Sequence, residues 1–403
     1  MEGSRAYDVV VVGAGILGLA TARRLLQERP GLRLAVLEKE TAIATHQTGH
    51  NSGVVHSGIY YAPGSLKARL CREGKAALER YVAERGLPYE RCGKLIVATD
   101  ESELPRLAEL ERRAVANGVD GLRVLERDEL RAFEPNAAGI RALHAPETAI
   151  VDYRAVAAAL ASDVREAGGE LSLGSAVVGL AERERSVAVE TTAGTFEAAA
   201  LVGCAGLQSD RVAALAGTRA PVRIVPFRGD YYTLKPPARA LVNGLVYPVP
   251  DPAFPFLGVH FTKLTDGRVI AGPNAVLAFA RERYGRAGVD IRDVASTLGY
   301  RGFWRFARRH FRFGAGEMWR DVVKRAYVRE LQRYVPAVTA ADLEFGPSGI
   351  RAQALDRQGR LVDDFVLERT GRQLHVLNAP SPAATASLAI ADHIAARAAE
   401  LLD

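Results

Sequence analysis

The sequence predicts an α/β protein in which a parallel-sheet domain is interrupted by a second domain built on a mixed sheet. Three observations favour this fold class. The chain opens with an apolar strand, a glycine-rich turn and a helix. Further apolar strands, each followed by a turn of small residues, return near residues 200 and 374. Strands that are separated by such long excursions indicate an interrupted sheet rather than two sequential lobes.

Length and composition describe an ordinary globular chain. The 403 residues correspond to two or three domains at about 150 residues each. Apolar residues make up 48% and charged residues 25%, which excludes a disordered chain. No apolar run is long enough for a transmembrane helix, and the first residues lack the layout of a signal peptide. The three cysteines lie far apart, so we expect a cytoplasmic protein with no disulfide framework and no metal site.

The first motif is a strand that runs directly into glycines. Tyr7 to Val12 is a continuous apolar run, typical of a strand that is buried on both faces of a parallel sheet. Gly13 permits the tight turn, Gly15 lets the backbone approach a pyrophosphate, and Gly18 allows close packing of helix on strand. The start of the helix offers unpaired N–H groups to phosphates.

A second apolar strand, Arg33 to Leu37, completes the unit and ends in Glu38. A carboxylate at this position can accept hydrogen bonds from ribose hydroxyls. The glycines alone would be a weak signal, but both strands and the acid together predict a Rossmann-type dinucleotide-binding domain. The position of the motif at the opening of the chain favours FAD as the dinucleotide.

The later parts of the chain alternate between the two predicted domains. Asp152 can cap a helix from Tyr153 to about Ala167. A hairpin follows at 186–194, then strands at 200–206 and 374–379 and a terminal helix. We predict the following domains: the FAD-binding domain at 1–84, 146–220 and 346–403, and the substrate-binding domain at 85–145 and 221–345, with a basic aromatic helical segment at 296–336.

Several longer motifs carry a resemblance to a known family. They are the stretch from Thr45 to Tyr61, Tyr247 to Pro252, Phe256 to Thr262, Gly349 to Gln353 and Asn378 to Thr385. The opening fold resembles the D-amino-acid-oxidase-like FAD-dependent oxidoreductases. Within that group, these motifs resemble the L-2-hydroxyglutarate oxidase or dehydrogenase family over nearly the whole chain.

The resemblance implies a D-amino-acid-oxidase-like fold and an FAD-dependent oxidation of L-2-hydroxyglutarate to 2-oxoglutarate. Hydride would pass from C2 to flavin N5 while a base removes the hydroxyl proton, and the electron acceptor would be O2 or a quinone. FAD would be bound without a covalent link, although His50 lies where some relatives attach it. The residues expected to bind FAD are Gly13, Gly15, Ile16, Gly18, Glu38, Lys39, Thr48, His50, Asn51, Ser52, Gly53, Val54, Ala205, Gly206, Pro382, Ala383, Ala384 and Thr385.

Histidine is the default base because its pKa lies near the working pH. His56 lies in the small-residue loop where this fold places the flavin ring. His260 lies in an alternating strand of the substrate domain that could face the ring from the other side. The sequence does not choose between them.

Recognition of the substrate carboxylate requires a planar, permanently charged fork, which favours arginine. Arg351 resembles the carboxylate-binding arginine of the wider superfamily, although Ala352, Ala354 and Leu355 depart from the usual pattern around it. A dicarboxylate needs a second anchor. The candidates are Arg228, Lys263, Tyr60 and Tyr61.

Two further features leave alternatives open. The terminal helix should begin near 382–385 and direct its N-terminus at the flavin. The segment 296–336 has ten Arg or Lys against three Asp or Glu, interleaved with aromatic residues. It suits a peripheral contact with the inner face of an anionic membrane, or a helical subdomain folded onto the substrate sheet. No feature indicates nucleic-acid binding.

Two other functions also fit the fold: an amino-acid oxidase of the sarcosine or D-amino-acid type, and a flavin-binding scaffold without turnover. Oxidation of an amine needs no strong base, so the histidines favour the hydroxy acid. A scaffold would be expected to have lost Arg351 and the histidines, and all are present.

Overall fold

The structure, a computed structural model, describes residues 5–251 and 257–402. Pro252 and Phe256, which belong to two of the motifs above, lie outside the described residues. The strands of the described part are β1 (Arg5–Val12), β2 (Leu34–Leu37), β3 (Val54–Val55), β4 (Tyr89–Glu90), β5 (Lys94–Ala98), β6 (Arg123–Glu126), β7 (Arg141–Ala145), β8 (Ala149–Val151), β9 (Glu170–Ser172), β10 (Val177–Glu182), β11 (Val187–Thr191), β12 (Gly194–Gly203), β13 (Val222–Leu234), β14 (Leu245–Pro248), β15 (His260–Lys263), β16 (Val269–Gly272), β17 (Val276–Leu277), β18 (Leu343–Asp356), β19 (Val366–Thr370) and β20 (Gln373–Asn378).

The α-helices of the same residues are α1 (Ile16–Glu28), α2 (Leu66–Glu84), α3 (Leu104–Ala116), α4 (Arg127–Phe133), α5 (Tyr153–Glu166), α6 (Ser209–Leu215), α7 (Ile291–Leu298), α8 (Arg301–Arg309), α9 (Phe311–Val322), α10 (Lys324–Gln332) and α11 (Ser387–Ala399). Asp152 caps α5 as predicted, because its side chain accepts a hydrogen bond from the backbone N–H of Arg154. Among the described residues, none of the helices combines the length and apolar character needed to cross a bilayer.

The first sheet contains the predicted dinucleotide-binding unit. Its order is β10-β11-β12-β1-β2-β9, with β20 paired to β12 and β19 to β20. The central pairs β1–β12, β1–β2 and β12–β20 are parallel. Successive side chains of β1 point to opposite faces: Val9 and Val11 pack with α1, α5 and α11, while Val10 and Val12 join a second core. The strand is therefore buried on both sides, as the apolar run predicts.

The second sheet is mixed, with the order β17-β13-β16-β15-β14-β5-β7-β6 and β18 paired to β13. Its only parallel pair among the described strands is β14–β5. The long antiparallel pair β13–β18 places Arg351 opposite Phe227 and Gly349 opposite Gly229. At Gly349 a Cβ would lie 2.7 Å from the carbonyl oxygen of His50, so this sheet meets the loop that follows β2.

A third, small sheet has the order β3-β8-β4 and holds the residue before His56 in place. The predicted division into two domains stays a prediction. The boundary predicted at 345/346 falls inside β18, which pairs with β13 of the second sheet along its length. The pairing of β13 with β18 favours a boundary after Asp356 instead. A boundary inside β18 would separate the two strands and leave their backbone N–H and C=O groups without hydrogen-bond partners.

Candidate active site

A cavity of about 1070 Å³ is lined by residues of both large sheets. At one end lie the glycine-rich turn and Glu38, and at the other lie His56, His260 and Arg351. The cavity thus joins the predicted dinucleotide site to the predicted reaction centre, although these residues are far apart in the sequence.

The turn after β1 is shaped by close backbone approaches. Gly13 has a φ of +105°, and a Cβ there would lie 2.5 Å from the carbonyl oxygen of Cys204. A Cβ on Gly18 would overlap the carbonyl oxygen of Gly13, so only glycine lets α1 start this close to the strand. The N–H of Ile16 donates to Thr48 Oγ1 at 3.0 Å, which ties the following loop to the helix start.

Glu38 is buried at the end of β2 and lines the cavity. Its carboxylate accepts backbone hydrogen bonds from Ala14 at 2.8 Å and from Glu40 at 3.0 Å. An ionised carboxylate has about four acceptor positions, so two remain for ribose hydroxyls. The cradle of glycines and this carboxylate fit the adenosine and pyrophosphate parts of FAD.

The other residues predicted to bind FAD are also close together. Gly18 lies beneath the turn, and the rest line the cavity: Gly13, Gly15, Ile16, Glu38, Lys39, Thr48, His50, Asn51, Ser52, Gly53, Val54, Ala205, Gly206, Pro382, Ala383, Ala384 and Thr385. Their contacts with FAD stay a prediction. His50 stacks on Tyr284 with ring centroids 3.7 Å apart, and its Nδ1 lies 3.0 Å from the carbonyl oxygen of Ser348.

The terminal helix starts later than predicted. Residues 381–386 form turns and α11 begins at Ser387. In these turns the N–H of Ala383 donates to the carbonyl of Pro380, and that of Ala386 donates to the carbonyl of Pro382. The cavity wall here is a turn rather than the first turn of a helix. Thr385 Oγ1 accepts from the backbone N–H of His56 at 3.1 Å, which joins this turn to the histidine loop.

Both candidate bases line the cavity, and their hydrogen bonds differ. His260 Nδ1 lies 2.8 Å from the carbonyl oxygen of Gly258. Because a carbonyl oxygen can only accept, Nδ1 carries the proton and Nε2 keeps its lone pair. The buried Nδ1 of His56 has no hydrogen-bond partner within the described part of the chain. The ring of His260 stacks on Tyr247, with centroids 3.8 Å apart.

Burial changes the acidity of both histidines. Desolvation, assisted by the positive charge of Lys94, lowers the pKa of His56 to about 3. Desolvation also lowers the pKa of His260 to about 3, with Lys94 and Arg351 contributing and the hydrogen bond to Gly258 opposing. The expectation of a pKa near the working pH is therefore wrong for these rings. Both are neutral at neutral pH and able to accept a proton.

Arg351 projects from β18 into the cavity beside Tyr231 of β13. Burial lowers the pKa of Arg351, while Tyr231 and Glu317 favour its charged form. Since an arginine remains protonated throughout the physiological range, the cavity contains a permanent positive charge. Its fork suits one substrate carboxylate.

The structure does not bring the four candidate second anchors into the cavity lining. Arg228 is buried and binds the carboxylates of Asp230, at 2.9 Å, and Asp321, at 3.3 Å. Lys263 is bound to Glu90 at 2.6 Å. The structure therefore contradicts the predictions that Arg228 or Lys263 binds the second carboxylate, because each side chain is already paired with a protein carboxylate.

Tyr60 and Tyr61 lie behind the cavity wall. The ring of Tyr61 packs near Lys67, whose Nζ is 5.4 Å from the ring centroid, and its hydroxyl contacts Ser381. The hydroxyl of Tyr60 is buried without a hydrogen-bond partner among the residues described.

Sequence reasoning missed Lys94, the first residue of β5, whose side chain is 1% exposed beside Tyr60 and Tyr247. A usable signal was present, since a charged residue heads the otherwise apolar run Lys94–Ala98. It also missed Tyr231, which lines the cavity but stands in a strand without a recognisable motif.

The arrangement defines a Rossmann-type flavoprotein oxidoreductase with a buried, positively charged substrate pocket. The family model of the FAD dependent oxidoreductases (DAO) matches residues 8–397. L-2-hydroxyglutarate dehydrogenase of Escherichia coli K12 is 45% identical over 98% of this chain and 94% of its own. The mitochondrial L-2-hydroxyglutarate dehydrogenase of Nematostella vectensis is 48% identical over 99% and 92%. The chain therefore belongs to the FAD dependent oxidoreductases and, within them, to the family of the L-2-hydroxyglutarate dehydrogenases.

A solved structure shows the same fold at a greater distance. The L-α-glycerophosphate oxidase of Mycoplasma pneumoniae, solved with FAD bound, superimposes with a TM-score of 0.80. The two sequences are 22% identical, over 99% of this chain and 95% of the other. The likeness shows the fold that the sequence predicts. The family match shows that the protein is an FAD-dependent enzyme.

Proposed function

We propose that this protein oxidises L-2-hydroxyglutarate to 2-oxoglutarate and uses FAD as its cofactor. The observation that carries the proposal is one cavity that joins the dinucleotide cradle to the buried His260 and to the half-buried His56 and Arg351. Relatives that match nearly the whole chain are L-2-hydroxyglutarate dehydrogenases, which supports the same substrate.

Each group in the cavity has a role in this reaction. Bound FAD supplies the hydride acceptor. Arg351 binds the carboxylate next to C2 and so orients the hydroxyl-bearing carbon. We assign the base to His260, because its Nδ1–H is held by the carbonyl of Gly258 and its Nε2 lone pair is available for the hydroxyl proton. His56 then orients the hydroxyl group.

A pKa of about 3 would make a poor base if nothing else changed. The substrate, however, is an anion, and a negative charge beside an imidazole favours its protonated form. Binding of the substrate therefore raises the pKa of His260 at the time when the proton must be accepted. Burial keeps the ring neutral until then.

Rapid anaerobic mixing of the FAD-loaded protein with candidate substrates tests this function. Flavin absorbance should bleach quickly with L-2-hydroxyglutarate and slowly with its D-enantiomer. L-Lactate lacks the distal carboxylate and should react about 10- to 100-fold more slowly. Faster bleaching by sarcosine or a D-amino acid would show an amine oxidase instead, and no bleaching by any of them would support a scaffold.

The electron acceptor and a membrane contact form a second part of the proposal. Helices α8 and α9 expose Trp304, Phe311 and Trp319, which are 56%, 72% and 64% exposed. The surrounding segment 296–336 is strongly basic. By contrast, Phe303 and Phe306 of the same segment are buried against the second sheet. Exposed aromatic residues among arginines suit an anionic bilayer, and a protein at that surface could reduce a membrane quinone rather than O2.

Co-sedimentation with vesicles tests the membrane contact. The protein should bind phosphatidylglycerol vesicles and release at high salt, with little binding to phosphatidylcholine. Replacing Phe311 and Trp319 by serine should weaken the binding, whereas Val115→Ser, an equally exposed apolar residue on α3, should not. Equal binding of both variants would place the contact elsewhere.

A further inference from the structure

Lys94 is a buried cation without a counter-ion. Its side chain is 1% exposed at the start of β5. Nζ lies 4.3 Å from the ring centroid of Tyr247 and 5.1 Å from that of Tyr60, and it makes no hydrogen bond or ion pair with any residue in 5–251 or 257–402. Rings stabilise an ammonium only in part, so such a lysine is costly to the fold.

Among the residues that the structure describes, no carboxylate compensates the charge of Lys94. Burial lowers its pKa to about 7, and the groups that favour its charged form are the thiols of Cys71 and Cys92. Burial raises the pKa of these thiols to about 12 and about 11, so both are neutral at pH 7. An uncompensated, strongly perturbed group next to a cavity is characteristic of functional sites.

Lys94 lies close to the reaction centre. Tyr247, over which the ammonium lies, lines the cavity and stacks on His260. The charge of Lys94 acts on both His56 and His260. Lys94 itself does not line the cavity, so its charge reaches the interior from behind the Tyr247 ring. A buried charge is screened less than one in water, so the charge of Lys94 acts on the groups on the other side of the Tyr247 ring.

A dicarboxylate brings two negative charges, and Arg351 accounts for one of them. Arg228 and Lys263 are neutralised by protein carboxylates. We propose that Lys94 supplies the positive charge that complements the second carboxylate, and that it thereby makes the site selective for dicarboxylic 2-hydroxy acids. This role rests on the proposed function, because it concerns the same substrate at the same site.

The test compares two substrates that differ only at the distal end. L-2-Hydroxyglutarate carries a carboxylate where L-2-hydroxypentanoate carries a methyl group. For the FAD-loaded protein with a dye as electron acceptor, Lys94→Met should lower kcat/KM for the dicarboxylate about 10- to 100-fold, mainly through KM. The value for the monocarboxylate should change by a clearly smaller factor, through the effect of Lys94 on His56 and His260 alone, so that the preference for the dicarboxylate narrows. Lys94→Arg should retain most of it.

Lys75→Met is the matched control. Lys75 is also largely buried, but it is paired with Glu79 at 2.7 Å and does not line the cavity. This variant should keep the preference for the dicarboxylate. If Lys94→Met does not retain FAD, Lys94→Gln removes the same charge while keeping a polar group and gives the same comparison.

Two results would overturn the role of Lys94. One is an equal loss for both substrates, which would mean that the lysine acts on the reaction centre alone. The other is a Lys94→Met or Lys94→Gln variant that prefers the dicarboxylate over the monocarboxylate as strongly as the unmodified protein does. Failure of the proposed function is distinguishable from both, since the unmodified protein would then show no activity with L-2-hydroxyglutarate.

Discussion

At the scale of single residues, hydrogen bonds and burial decide which histidine can act as a base. His56 and His260 have similar surroundings and similarly lowered pKa values. Of these two, only His260 has its Nδ1 fixed by a carbonyl oxygen, that of Gly258, whereas the Nδ1 of His56 has no partner within the described residues. A fixed tautomer keeps the opposite nitrogen ready to accept a proton.

We therefore expect His260→Gln to reduce the rate of flavin reduction by L-2-hydroxyglutarate about 10²- to 10⁴-fold while FAD stays bound. Glutamine is similar in size but cannot accept the proton. His56→Gln should give a smaller loss, as a group that orients the hydroxyl would. Stopped-flow absorbance measures both rates. A larger loss in His56→Gln would mean that His56 is the base and that His260 orients the hydroxyl group.

The pH dependence follows from the lowered pKa values. The active form of the base is the neutral imidazole, which is lost only as pH falls through its pKa of about 3 in the free protein. On its acidic side, where Lys94 is also charged, the plot of kcat/KM against pH should thus show no fall near pH 6.5 and stay level from about pH 6 to about pH 5, where substrate carboxylates begin to titrate. An inflection near pH 6.5 that disappears in His260→Gln would show that burial does not lower the pKa of His260.

At the scale of elements, the strand–turn–helix unit at the start of the chain depends on close packing. β1 and α1 approach so closely at Gly13 and Gly18 that a side chain at Gly18 would overlap the turn. Gly314, on the exposed helix α9, differs from Gly18, because a Cβ there would meet no atom within 4 Å.

Gly18→Ala should therefore displace α1, weaken FAD retention and lower the melting temperature, because backbone atoms cannot move aside as a flexible side chain can. Gly314→Ala is the control and should be neutral or stabilise by up to about 1 kcal/mol, since alanine favours helices. The ratio of flavin to protein absorbance after gel filtration measures retention. Full retention in Gly18→Ala would mean that the turn tolerates more displacement than its geometry indicates.

At the scale of the whole molecule, a buried arginine connects segments of the two predicted domains. Arg281 is 2% exposed and lies 2.5 Å from the carboxylate of Asp210 on α6. It also donates to the carbonyl oxygens of Leu207 and Ile224, and its backbone N–H donates to Asp293. These bonds hold the segment that follows β17 against α6, which packs on the first sheet.

Arg281→Met should lower the free energy of unfolding by about 3–5 kcal/mol, because Asp210 would remain buried without its counter-ion. Arg268→Met breaks an exposed pair with Asp266 and should cost at most about 1 kcal/mol. Denaturant unfolding followed by fluorescence measures both. Equal, small losses would show that water replaces the arginine at Asp210.

The elements that sequence patterns predict correctly are those whose signals are local. The apolar run of β1, the glycines after it and Glu38 predict a strand, turn and acid within a short stretch, and the structure has them there. The Asp152 cap and the return strands near 200 and 374 follow from the same kind of signal. Local signals suffice because period, capping and turn chemistry act between near neighbours.

Which charged side chains lack a counter-ion depends on the folded chain. Arg228 and Lys94 look alike in sequence as single cations near apolar strands, yet folding gives Arg228 two carboxylates and leaves Lys94 with two aromatic rings. Folding also buries His260 and lowers its pKa far below that of a free imidazole. The reason is that ion pairing and desolvation depend on groups that folding brings together from distant parts of the chain. The residues next to a charged side chain in the sequence therefore do not indicate whether it will be paired or buried.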